Sequence, residues 1–175
     1  MSVCQVIVIG RGRPRSLTII LLKPSLILKE VCLDLDCDSG WTIFKNPITN
    51  THKCYRYVTR KTDRNDAVKV CESESHHSSS MLVSIPDQET NSFLLELVTS
   101  VKADWTWTGG HQDSNDEWVW LDGSKVTYFN WASGEPNDAG ANEDYLIFNY
   151  GGTNGVWSDD TPTKFQRPSL CQYDP

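Results

Sequence analysis

The stretch Asn130-Trp131-Ala132-Ser133-Gly134-Glu135-Pro136-Asn137 ends in two oxygen-bearing side chains on either side of a proline. Asn142-Glu143-Asp144 follows a few residues later, and Trp157-Ser158-Asp159 closes the segment. Glu, Asn and Asp oxygens therefore gather along a region rich in Gly, Asn and Asp. Ca²⁺ takes roughly 6–8 oxygen ligands in flexible geometry. Hard oxygen donors grouped on loops imply a calcium site at a loop surface, and whatever that calcium can hold.

The chain has 175 residues and 38% hydrophobic content, enough for one compact domain with a core. Seven tryptophans are many for this length and read mostly as structural. A net charge of −7 argues against a nucleic-acid partner, because a phosphate backbone needs a basic face. Six cysteines stand at 4, 32, 37, 54, 71 and 171, and their pairing is not determined by count alone. They form no CxxC pair, and no histidine has zinc-finger spacing from them, so a structural zinc is not implied. Wide, irregular spacing in an acidic, Trp-rich chain favours disulfides and a secreted, extracellular setting. No Asn-x-Ser/Thr sequon is present.

Residues 1–35 differ in texture and carry no tryptophan. Arg11, Arg13 and Arg15 precede the apolar run Leu17–Leu22, as in a signal peptide, but Lys23-Pro24 interrupts the run. The segment reads as a leader, either a degenerate signal peptide or a disordered stretch. It is too short and broken for a transmembrane helix, and no other segment qualifies.

Residues 36–175 read as one domain. Gly40–Phe44 and Lys53–Val58 have strand character, separated by a Pro/Asn/Thr turn. Thr62 or Asp63 caps a helix to about Ser73 that buries Ala67, Val68, Val70 and Cys71. The Ser/His tract 73–80 reads as a loop, with His76 and His77 solvated. Leu82, Val83 and Ile85 form a buried segment. Pro86-Asp87 starts a second helix to about Thr99, with Phe93, Leu94, Leu97 and Val98 as its apolar face. Trp105–Thr108, Glu117–Leu121 and Val126–Trp131 read as short strands or core segments, and Asp144–Tyr150, Trp157 and Ser169–Tyr173 as strands, around a long loop, Ala132–Gly155. The class is α+β.

Several signatures in order resemble the C-type lectin domain family over roughly residues 37–173. These are Trp107-Thr108-Gly109-Gly110 at the place of the family's WIGL motif, Trp118-x-Trp120-x-Asp122-Gly123, and Asn130-Trp131-x-x-Gly134-Glu135-Pro136-Asn137. The resemblance implies the long form of the fold, with disulfides Cys37–Cys54 and Cys71–Cys171. Two features depart from the pattern. A second family disulfide would join Tyr145 to Thr161 or Pro162, and both cysteines are missing. The loop is then more mobile, unless calcium or packing by Tyr145 compensates, since a native disulfide is worth about 2–5 kcal/mol. Ser158 stands where the sugar-binding pattern has asparagine, with a shorter reach and a single O–H donor. Cys4 and Cys32 lie outside the resemblance and can pair with each other or with another chain.

By resemblance, Glu135, Asn137, Glu143 and Asp159 ligate one Ca²⁺, Asp159 also through its carbonyl, with Ser158 a partial replacement ligand and Pro136 in a cis bond. The same residues hold the sugar, two of whose vicinal hydroxyls complete the calcium shell. Glu-Pro-Asn is the mannose-type order, for equatorial 3- and 4-hydroxyls as in mannose, N-acetylglucosamine and glucose, and for an equivalent pair in fucose. Gln-Pro-Asp is the galactose-type order. Asp138, Glu143 and Asp144 match an auxiliary calcium site whose other ligands would come from Asp113–Asp116; a solvated acidic loop is the alternative there. Trp118, Trp120 and Trp131 read as core, and Tyr150 as the better stacking candidate.

Three functions follow: a secreted calcium-dependent lectin for mannose-type glycans in defence or cell recognition; a lectin-fold module that binds protein; and a glycan-processing enzyme using Glu135 and Glu143 as a carboxylate pair. The third is disfavoured, because the Asn-rich context suits a cation and no hydrolase or phosphate-loop motif is present. No coiled coil or collagen-like stalk indicates an oligomer.

Overall fold

A computed structural model describes the backbone of residues 3–7 and 29–33, and residues 37–175 apart from 104, 141 and 153. The chain divides into two compact units, Met1–Asp36 and Cys37–Pro175. In the first unit, β1 (Val3–Ile7) pairs antiparallel with β2 (Lys29–Leu33), and Cys4 stands opposite Cys32 in the register. The run Leu17–Leu22 and the arginines before it lie outside the described residues.

The second unit begins with β3 (Thr42–Lys45) and β4 (His52–Thr62). Asp63, extended at φ −66°, ψ 171°, accepts the Asp66 N–H and caps α1 (Arg64–Ser73). An extended acidic cap satisfies one of the free N–H groups of the first turn. α1 buries Arg64, Ala67, Val70 and Cys71, while Val68 is half-buried. After β5 (Met81–Leu82), Asp87 caps α2 (Gln88–Ser100) by accepting from Thr90 N, and Leu94 and Val98 are buried on its inner face. In the loop between α1 and β5 both histidines are exposed, and the His77 ring stacks on Tyr173 at 4.2 Å.

The strands β6 (Thr106–Gln112), β7 (Trp118–Val119), β8 (Tyr145–Phe148), β9 (Trp157–Asp160) and β10 (Arg167–Tyr173) follow. The sheet order is β3-β4-β10-β6-β8-β9, with β5 on β10 and β7 on β6. The pairings are antiparallel except β10 with β6, which meet in parallel at Ser169 and Trp107. Two helices beside this sheet make the α+β fold.

Val126–Trp131, expected as a short strand or a core segment, is the latter, with Val126 buried in a core cluster and Tyr128 and Trp131 packed against it. Its ladder is sporadic: Val126 N–H bonds the Trp118 carbonyl, and Trp131 makes only an isolated bridge to Trp157. Its aromatic side chains serve ring packing. Trp131 lies 5.0 Å from Trp118 and 5.8 Å from Trp157, and Trp120 lies 5.9 Å from Trp157. Trp120 and Trp157 are buried, and Trp118 and Trp131 are half-buried against the same cluster.

Disulfides join Cys37 to Cys54 and Cys71 to Cys171, the second tying α1 to β10. Trp107 is fully buried and its indole N–H donates to the Thr62 carbonyl at 2.9 Å. Gly110 is required by close approach: a Cβ there would sit 2.7 Å from Leu146 Cβ. The second unit is therefore tightly packed where β6 pairs with β8, next to the segment that carries the candidate site.

Candidate functional site

Three devices bring the acidic residues together. First, a tight turn closes by the Glu135 N–H to the Ala132 carbonyl, 3.0 Å, with Gly134 at φ +89° in the position that requires a left-handed residue. Second, Trp157 N–H bonds the Asn130 carbonyl and Ala132 N–H bonds the Trp157 carbonyl, each at 2.8 Å. These bonds lay the Glu135 turn along the start of β9. Third, the Trp157 indole donates to Asn91 Oδ1 at 2.8 Å, fixing β9 against α2.

The Glu135–Pro136 bond is cis. Beyond it, Asn137 Nδ2 donates to Glu135 Oε2 at 2.8 Å. The Asp159 carboxylate, 5% exposed, accepts the Asn137 N–H at 3.1 Å and the Asp138 N–H at 2.7 Å. Burial pushes the Glu135 carboxyl up to about 7, helped by the adjacent Asp159 carboxylate and opposed by Ser158 and Asn137. Two adjacent acids, with no lysine or arginine bonded to either among the described residues, repel each other unless a proton or a cation lies between them.

Ser158 is 4% exposed, and its hydroxyl donates to the Asp159 carbonyl at 2.9 Å. The same hydroxyl lies against Glu135. With one proton it can serve only one of these acceptors at a time.

Glu143 joins less directly. Its Oε2 accepts the Ala139 N–H at 2.9 Å, and its own N–H donates to Asp138 Oδ1 at 3.2 Å. Asp138, at φ +43°, thus links Glu143 to Asp159. The Asp144 carbonyl accepts from Gln112 N at 2.9 Å, and its side chain is exposed. Asp113 is engaged in its own turn, accepting from Asn115 N and Glu117 N, which holds its carboxyl below the usual range. Among the described residues no three His, Cys, Asp or Glu side chains form a metal cluster by themselves. The acids are turned onto backbone N–H donors, and amide and hydroxyl oxygens make up the rest of the donor set. That all-oxygen set fits a hard cation of the calcium type and not zinc or copper.

Tyr150, expected as a stacking residue, packs its ring on Trp105 at 4.6 Å. Asn91 was not anticipated as a support: a polar residue beside the apolar face of α2, it bonds both the Trp157 indole and the Gly155 carbonyl.

A family model described as the lectin C-type domain matches residues 59–173. The chain belongs to the C-type lectin domain family. It is 33% identical to the perlucin-like protein of Mytilus galloprovincialis over 141 residues, which span 78% of this chain and 83% of that relative. Among solved structures it is similar to the C-type lectin CEL-I from Cucumaria echinata, with TM-score 0.66, 27% identity and coverage of 78% and 96%. It is also similar to the cow carbohydrate-recognition domain of CD23, studied in the presence of GlcNAc2Man3 oligosaccharide, with TM-score 0.64, 28% identity and coverage of 80% and 97%. C-type lectins are carbohydrate-binding proteins without enzymatic activity, and their domains typically bind Ca²⁺. Among the described residues, no helix of this chain is long and apolar enough to cross a membrane.

Proposed function

We propose that this domain is a secreted lectin that binds mannose-type glycans through Ca²⁺ held by Glu135, Asn137, Glu143 and Asp159, with Ser158 at the edge of the shell. The observation that carries this reading is the meeting of Glu135 and Asn137 side chains at 2.8 Å beside the buried Asp159 carboxylate. When bound, Ca²⁺ supplies a Lewis-acidic centre for two vicinal sugar hydroxyls.

The chain's own residues set which hydroxyls fit. Glu135 only accepts hydrogen bonds, whereas the Asn137 amide also donates. Arranged in this order on either side of Pro136, they suit equatorial 3- and 4-hydroxyls. Asp159 orients the loop by fixing the Asn137 and Asp138 backbone. Ser158 supplies less than an asparagine would, since its only proton is already directed to the Asp159 carbonyl. A role for Asp138, Glu143 and Asp144 in a second calcium site finds support in the Asp138–Glu143 bond.

Chromatography on immobilised mannose tests the reading. Retention in millimolar calcium and release by EDTA are expected. Free passage in calcium would overturn sugar binding, and retention indifferent to EDTA would overturn its mechanism.

A further inference from the structure

Arg64, the first residue of α1, touches both chain segments at the open end of the β8–β9 ladder. That ladder runs from Phe148 opposite Trp157 to Tyr145 opposite Asp160, and there it stops. Beyond it the chain leads to Glu143 on one side and away from Asp159 on the other. The Arg64 backbone N–H donates to the Pro162 carbonyl at 2.8 Å. Its guanidinium carbon lies 5.2 Å from the centre of the Tyr145 ring. One residue thus reaches a point two residues after Glu143 and another three residues after Asp159.

The character of the side chain points the same way. Arg64 is 2% exposed, and among the described residues its Nε and Nη2 have no hydrogen-bond acceptor. Burial lowers its pKa to about 10, and the neighbouring Tyr145 opposes that shift. A buried guanidinium without a carboxylate is a poor contributor to global stability. Nor is it needed to start the helix, which Asp63 already caps. What it gains is the ring face, a cation–π contact that strengthens where water is excluded.

We propose that Arg64 is a positioning residue for the candidate site, a clamp that holds Tyr145 and Pro162 together so that Glu143 and Asp159 stay in register. This rests on the calcium reading for its affinity readout alone; the mechanical part stands without it.

The test uses the full chain with Arg64→Met, which keeps bulk and removes the cation. Three quantities are measured: the urea midpoint, amide hydrogen exchange along the domain, and Ca²⁺ affinity by calorimetry. The clamp predicts a midpoint unchanged or raised, with exchange faster by roughly tenfold or more at residues 143–146 and 159–161 only. Ca²⁺ affinity should fall severalfold. Tyr145→Phe, which keeps the ring, should leave all three unchanged, while Tyr145→Leu should reproduce the local loss. Unchanged exchange at those segments in both Arg64→Met and Tyr145→Leu would overturn the clamp, as would acceleration spread over the whole domain. If the wild type binds no Ca²⁺ at all, the functional reading fails, and the exchange result still decides the clamp.

Discussion

Both oxygens of the Asp159 carboxylate face the backbone N–H of Asn137, each at 3.1 Å. A buried side chain on β9 thereby sets the path of the loop that follows Pro136, and the Asp138 N–H at 2.7 Å adds a second tie. The acid is both a candidate ligand and the anchor of its neighbouring ligand. Asp159→Asn keeps the size but removes the charge and turns one acceptor into a donor facing N–H groups. It is expected to abolish Ca²⁺ binding in calorimetry and to cost about 1–3 kcal/mol in urea unfolding from mismatched hydrogen bonds. Full Ca²⁺ affinity in this variant would remove Asp159 from the site.

Ser158 tests the edge of the site. Its single proton goes to the Asp159 carbonyl. Ser158→Asn adds an amide that can offer an oxygen to the cation and an N–H to a sugar hydroxyl. Calcium-dependent mannoside affinity is expected to rise in a calorimetric titration. An unchanged or lower affinity would show that Ser158 is not what limits the site.

Asp160, one residue further on, has a different task. It is 4% exposed and accepts from Arg167 Nε at 2.8 Å, with Arg167 Nη2 bonded to the same oxygen. The guanidinium also lies over Trp105 and Trp107, at 4.6 and 5.6 Å from their ring centres. Asp160→Asn leaves a buried cation unpaired and is expected to cost about 3–5 kcal/mol in urea unfolding. Because Asp160 is spent on Arg167, Ca²⁺ affinity of the folded protein should change far less than in Asp159→Asn.

Gly110 tests the rigidity of the scaffold. A methyl group there meets Leu146 Cβ at 2.7 Å and Trp120 Cζ3 at 3.1 Å. Gly110→Ala is expected to destabilise by about 1–3 kcal/mol in urea unfolding, as overpacked cores do. A neutral result would mean that β6 and β8 can separate more easily than their packing implies.

Elements with strong local chemistry were legible in the sequence. Thr62-Asp63 and Asp87 announced the two helix starts, because a residue that caps a helix needs only its own next few residues, and Asp63 proves to be the first cap. That Glu135 and Asn137 meet Asp159 is not local in this way, since Asp159 stands more than twenty positions from either and is joined to them by the β9 contacts. Val126–Trp131 was left open between strand and core segment, since aromatic residues favour both, and only the tertiary contacts of Trp131 decide between them. The packing of Tyr150 on Trp105 was not legible, because the two stand 45 residues apart. Arg64 gave no signal at all: an arginine after a helix cap reads as solvated, and its burial depends on Tyr145 and Pro162, far along the chain. The expectation that packing by Tyr145 can offset the missing family disulfide finds its physical partner in that arginine.

The most direct test of the central claim is calorimetric titration of methyl α-mannoside and of methyl β-galactoside into the oxidised domain, each with millimolar calcium and again with EDTA. Binding of the mannoside in calcium, its loss in EDTA, and far weaker binding of the galactoside throughout are expected. Absence of mannoside binding in calcium, or galactoside binding of equal strength, would contradict the claim.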